Sequence, residues 1–324
     1  MTTTDPAELF DLAPELRMAS YAYREEFGQP AAMIGRVPGQ VTLLASGPLQ
    51  LTVAAPWGVI AAAGPRDDDI IELTRMQRPG ERERVTVRDA TAGSCPQWAE
   101  AGLRSARVGA RLLISCELPE GAGVNTSAAI QTAIRLCLGD RGAAIGRQEH
   151  PATPCAMLGG EPLPFDLAAA GLRLVIIDTR IRDTARPSPA EDSPAAAAAG
   201  ALRAGDITAI GPLLTAAHNA LDCDGTQQGV VSTALRSGAL GARTITDGPG
   251  RPVCGLVPAD RLAGLRAATC AWFEGQALRP PRFLAFTPAS AQRQAWHGSL
   301  VRDPAVPKSN GTEIPHTHTD GAHQ

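Results

Sequence analysis

Lysine is nearly missing from this chain. Among its 30 basic residues Lys308 is the only lysine, and it sits in a polar C-terminal tail. A Walker-type phosphate loop needs a Gly-Lys-Ser/Thr ending, and a Schiff-base enzyme needs a lysine in its pocket. Neither can be assembled from the rest of the sequence. A basic excess is missing as well: 30 Lys and Arg face 33 Asp and Glu, a net charge of −3, which argues against a dedicated nucleic-acid binder. No apolar run reaches the ~18 residues that would suggest a membrane span. The first residues, MTTTDPAELFDLAPEL, are acidic and lack the basic-then-apolar pattern of an export signal. Paired CxxC spacing is absent too. The seven cysteines are scattered and odd in number, which predicts reduced thiols in a cytoplasmic protein. As small apolar side chains they belong in a core rather than around a metal.

What is present suits an enzyme-sized globular chain. Its 324 residues, 44% of them hydrophobic, are enough for one large or two ordinary domains. Apolar residues at helical spacing predict a helix over residues 14–27, stopped by Gly28. Strand-like segments follow at 39–44, 50–55, 59–63 and 70–74. RVTVR, residues 84–88, alternates as a half-exposed strand does. A strand over 111–117 and a helix over 127–138 come next, and residues 139–160 read as irregular. LRLVIID, residues 172–178, is a continuous apolar run and predicts a buried strand. Residues 184–194 read as a loop. Helices are expected at 195–204, 207–220 and 227–237, a strand at 253–257, a helix at 259–275 and a last strand at 282–287. Residues beyond 301 carry too little apolar content to pack.

The most informative stretch is LPEGAGVNTSAA, residues 118–129. A strand enters a Gly-x-Gly turn, and a polar triplet opens an alanine-rich helix. Bare amides and a helix N-terminus then converge on one point, where the backbone dipoles favour an anion such as phosphate. Gly121 and Gly123 supply positive φ and room for close approach.

Several segments in order resemble galactokinases of the GHMP small-molecule kinase superfamily, from about Tyr21 to Arg293. GRVPGQVTLL resembles the first motif of that superfamily and LPEGAGVNTSAA the second. PLPFDLAAAGLRLVIIDTR and LRAGDITAIGPLLTAAHNAL resemble galactokinase segments of the second domain. GALGARTITDGPGRPVCGLVPADR lies where the third, glycine-rich motif belongs. The resemblance implies an α+β fold of two GHMP kinase-like domains, residues 1–165 and 166–300, with mixed sheets packed by helices and a disordered tail at 301–324. It implies ATP with Mg²⁺ as cofactor. The nucleotide would lie on Gly121, Ala122, Gly123, Val124, Asn125, Thr126 and Ser127, with Thr126 approaching the metal. Asp140 aligns to the catalytic acid of the family, across an apparent deletion. His218 matches a family histidine and reads as structural. His316, His318 and His323 read as solvated tail residues.

Departures from the family pattern are concentrated elsewhere. Galactokinases carry an arginine after the first-motif Pro-Gly, then a Gly-Glu-His-Thr-Asp-Tyr run that grips the sugar. Here Gln40 takes the arginine's place and LLASGPLQ the rest, with Ser46, Gly47 and Leu49 near the Glu, His and Asp positions. Apolar replacements leave sugar hydroxyls unpaired. In the third motif, prolines fix φ and remove N–H donors, and Asp247 brings a negative charge, which Arg251 would partly offset. A second deletion falls between Arg186 and Ala195. Two classes of function stay open. One is a galactokinase-like protein with a degenerate site that keeps nucleotide binding, with a small molecule or a protein partner; the other is an active ATP-dependent kinase with an altered acceptor.

Overall fold

A computed structural model describes residues 13–139, 153–182, 194–246, 250–291 and 293–297. Helix α1 (Pro14–Phe27) buries Leu16, Ala19 and Tyr23 at helical spacing and ends on Gly28, at φ 70°. Strands β1 (Met33–Ser46) and β2 (Leu49–Pro65) form one long hairpin. The two strands expected within residues 50–63 are therefore a single strand. Between residues 53 and 64 only Pro56 and Trp57 interrupt its burial, and the pairing with β1 runs through without a turn.

Strands β3 (Ile70–Arg75), β4 (Arg78–Thr86) and β5 (Ala110–Cys116) complete the first sheet with the hairpin β6 (Cys155–Leu158) and β7 (Glu161–Pro164). The RVTVR strand stops earlier than expected. Thr86 accepts a hydrogen bond from the Asp89 amide at 3.0 Å and caps the short helix α2 (Val87–Ala92). Nor is the end of the 139–160 segment irregular: Cys155, Ala156, Met157 and Leu158 form a strand and are all buried. A short helix α3 (Glu100–Leu103) precedes β5, and α4 (Thr126–Cys137) lies against β1 and β2. The strand order is β12-β1-β2-β5-β3-β4, antiparallel except for the parallel β3–β5 pair. Strand β12 (Gln294–His297) thus brings the end of the described chain back beside β1.

The second sheet is antiparallel, in the order β11-β8-β10-β9, from β8 (Leu172–Asp178), β9 (Gly241–Thr244), β10 (Val253–Pro258) and β11 (Arg282–Phe286). Helix α5 (Ala195–Arg203) lies against β7, β2 and β1 of the first sheet, while α6 (Ile210–Asn219), α7 (Gly225–Arg236) and α8 (Leu262–Gly275) pack around the second. The unbroken apolar run of β8 has a simple cause. Leu174 and Ile176 face a core shared with the first sheet, while Val175 and Ile177 face a second core under α7 and α8. A strand covered on both faces cannot alternate.

Arg243 of β9 is buried and donates to the Leu43 carbonyl of β1 at 2.6 Å, tying the sheets together. No helix among the described residues is long and apolar enough to cross a membrane.

Candidate nucleotide and acceptor site

The turn between β5 and α4 has the conformation its glycines suggest. Gly121 and Gly123 both sit at φ 73°, and Asn125, the residue before the helix, is left-handed at φ 48° and ψ 44°. The Asn125 side chain makes no capping hydrogen bond, and the first turn of α4 carries no acid. An uncapped, acid-free N-terminus of a 12-residue helix leaves its first amides for water or an anion. Asn125 and Ser127 are exposed, whereas Ala122, Gly123, Val124 and Thr126 are buried.

The buried part of the turn is held by protein. A side chain at Gly123 would meet Ile245 Cδ1 at 2.6 Å and Pro252 Cγ at 3.0 Å. One at Gly250 would meet the Gly121 carbonyl at 2.4 Å. The third glycine-rich segment therefore lies directly on the second, and Gly123 is required by packing as well as by its φ. Thr126 Oγ1 donates to the Pro119 carbonyl at 3.3 Å, bracing the loop. Arg182 reaches the Glu120 carbonyl at 3.1 Å while pairing with Asp178 through both carboxylate oxygens, at 2.8 and 2.9 Å. Asp178 is buried at 1% exposure, and its hydrogen bond raises the Arg182 pKa. Sequence reasoning missed this pair; its signal was the acid closing an otherwise apolar strand, four residues before an arginine.

Arg251 has an acid beside it that the sequence order does not suggest. It ion-pairs with Asp224, the capping residue of α7, and its carbonyl accepts from Thr179 Oγ1 at 3.2 Å. Asp247 and Asp140 lie outside the described residues, as do His316, His318 and His323.

The first-motif segment has been absorbed into the sheet. Leu43 and Leu44 are fully buried, and Ser46 pairs directly with Leu49 at the hairpin end. A register shift between Thr42 and Leu44 lets two successive leucines turn inward. Gln40 remains near the loop, its amide donating to the Val124 carbonyl at 3.2 Å. Its side chain lines a small recess of about 30 Å³ with Val37, Pro38, Asn125, Thr132 and Arg293.

His218 lies buried between α6, α7 and β9. The Thr244 amide donates to Nδ1 at 3.4 Å, which leaves the proton on Nε2 to reach Gln228 Oε1 at 3.3 Å. Burial pushes its pKa down. All seven cysteines are free thiols, and burial pushes Cys137 and Cys254 up to about 12. No cluster of three His, Cys, Asp or Glu that could hold a metal occurs among the described residues.

No family model matches the chain. The galactokinase of Streptomyces coelicolor is 25% identical over 373 residues, covering 84% of this chain and 96% of that protein. Since 84% of 324 residues is about 272, about 100 of those 373 positions have no counterpart here. Among solved structures, Lactococcus lactis galactokinase complexed with galactose superposes with a TM-score of 0.69 at 16% identity, over 85% of this chain and 98% of that one. Methanococcus jannaschii mevalonate kinase gives 0.53 at 13% identity, over 82% and 100%.

Proposed function

We propose that this chain, a galactokinase-like protein with the fold of the GHMP small-molecule kinases, binds a nucleotide at residues 121–127 and does not phosphorylate galactose. The observation that carries this reading is the contrast between two walls of one site. The turn keeps an uncapped helix N-terminus and exposed polar side chains at Asn125 and Ser127. The hairpin opposite Gln40 offers buried leucines and a tight turn, with no charged side chain from residue 40 to residue 50. A neutral sugar needs its hydroxyls paired, and a site lacking those partners discriminates against it strongly.

The donor set does not make a magnesium site of its own. The Thr126 hydroxyl already donates to the Pro119 carbonyl, and residues 121–127 contain no carboxylate, the exposed Glu120 standing just before them. Mg²⁺ would arrive on the phosphates of the nucleotide rather than on protein ligands. The catalytic acid assigned to Asp140 by resemblance stays a proposal of the same standing. So do a cytoplasmic location and a protein partner. The roughly 100 aligned positions without a counterpart in this chain support a simplified site.

A second reading is an active kinase with a different acceptor. It is favoured by the recess beside Gln40, because phosphoryl transfer depends on positioning and charge more than on covalent groups. Calorimetric titration with MgATP, followed by an assay of galactose phosphorylation, separates the readings. Saturable MgATP binding without galactose turnover is the expected result. Galactose turnover would overturn the proposal, and absence of MgATP binding to the folded protein would remove its first half.

A further inference from the structure

The recess between β1 and α4 is lined by Arg293, half-buried, with which no carboxylate among the described residues pairs. The charge among the described residues that acts on it is another cation, Arg135, which is tied to the Thr132 hydroxyl at 3.3 Å. Burial and that neighbour both push the Arg293 pKa below its ordinary value, though a guanidinium stays charged at neutral pH. Two arginines brought together in part-buried surroundings without an acid repel each other. A ligand anion would relieve that repulsion.

The rest of the lining is built of donors. The side-chain amides of Gln40 and Asn125 make no hydrogen bond with other described residues, and both face the recess. Ala128 and Ala129 present the first turns of α4 to it without covering them. Val37 and Pro38 give an apolar floor, and no acid lines it. At about 30 Å³ the recess is far too small for a whole nucleotide and matches a group the size of a phosphate or carboxylate.

We infer that this recess holds an oxyanion, and that Arg293 is the residue that fixes it through a charge-assisted, two-pronged contact. The anion is either the terminal phosphate of a bound nucleotide or an anionic group on a separate small molecule. The inference rests on the nucleotide reading for the first source only. It extends that reading by naming the class of ligand the altered acceptor wall accepts: an acid rather than a neutral sugar.

The probe is inorganic phosphate, titrated calorimetrically into the full chain alone and then into chain saturated with MgATP. Saturable phosphate binding is expected for the unaltered protein. Arg293→Met should weaken it roughly ten- to hundredfold, and Arg293→Lys should restore part of the loss. Thermal melts of the three proteins check that each is folded. Should Arg293→Met prove unstable, competition of sulfate with phosphate in the unaltered protein, together with the Arg293→Lys titration, carries the test. Phosphate displaced by MgATP identifies the nucleotide's own phosphate as the ligand; phosphate bound alongside MgATP identifies a separate anion. Equal affinity in the unaltered and Arg293→Met proteins, or no saturable phosphate binding at all, would overturn the inference. Failure of MgATP to bind while phosphate does would sink the nucleotide reading and leave Arg293 in place.

Discussion

The turn at residues 118–129 and the hairpin at residues 40–50 face the same region of the fold, yet they have had opposite fates. In the turn, the backbone carries the capacity to bind: two glycines at φ 73°, a left-handed Asn125 and an open helix N-terminus. In the hairpin, binding would have to come from side chains, and those positions now hold Leu43 and Leu44 in the core. Backbone geometry persists while packing around it persists, because the same glycines serve both purposes. Side-chain recognition has no such protection.

The largest effect should come from Gly123→Val, which tests whether the turn is preserved for a ligand or for packing. Its added side chain would run into Ile245 and Pro252, at a backbone angle that β-branched residues avoid. The strain and overpacking together should cost roughly 2–5 kcal/mol, seen as a large drop in the thermal midpoint. Adding Ile245→Ala should recover the packing share but not the backbone share. A Gly123→Val protein that melts normally and only loses nucleotide would mean the turn is kept for the ligand alone.

Arg182→Ala is a smaller break on the same side of the comparison. It strips Asp178, at 1% exposure, of its two-pronged partner and leaves it the Arg180 amide at 2.9 Å. Arg182 is itself 38% exposed, so screening keeps the cost to about 1–2 kcal/mol by chemical denaturation. The Glu120 carbonyl also loses its clamp. MgATP affinity should therefore fall together with stability. Arg182→Lys should not restore either in full, since an ammonium cannot make the paired contact. Unchanged stability in Arg182→Ala would show that water replaces the guanidinium without loss.

Much of this contrast was legible in the sequence. The Gly-x-Gly turn before an alanine-rich helix was readable as a tight turn with an open helix N-terminus, and the run LRLVIID announced a buried strand. The replacement of a polar run by LLASGPLQ was visible, but its destination was not. Whether those leucines would line an altered pocket or join the core depended on the register shift at Thr42 and Leu44, which only cross-strand pairing reveals. The same limit hid Arg293. In sequence it is one of many arginines near the end of the chain, and its place beside Gln40 arises because β12 returns to β1. Arg251 has a partner that sequence order hides, the distant Asp224.

The smallest and most discriminating change is Asn125→Gly. Asparagine tolerates a left-handed backbone, and glycine adopts it without penalty, so the folded state gains a little as the unfolded chain gains entropy. Because the Asn125 side chain makes no capping bond, nothing else in the fold depends on it. Stability should shift by no more than about 0.5 kcal/mol in either direction. Binding is another matter. Asn125 borders both the turn and the recess, and its amide is one of the few uncommitted donors there. Loss of one neutral hydrogen bond to a ligand should weaken MgATP or phosphate roughly three- to tenfold. A variant that melts and binds like the unaltered protein would mean that the backbone alone makes the anion site, and that even on the preserved wall no side chain still recognises a ligand.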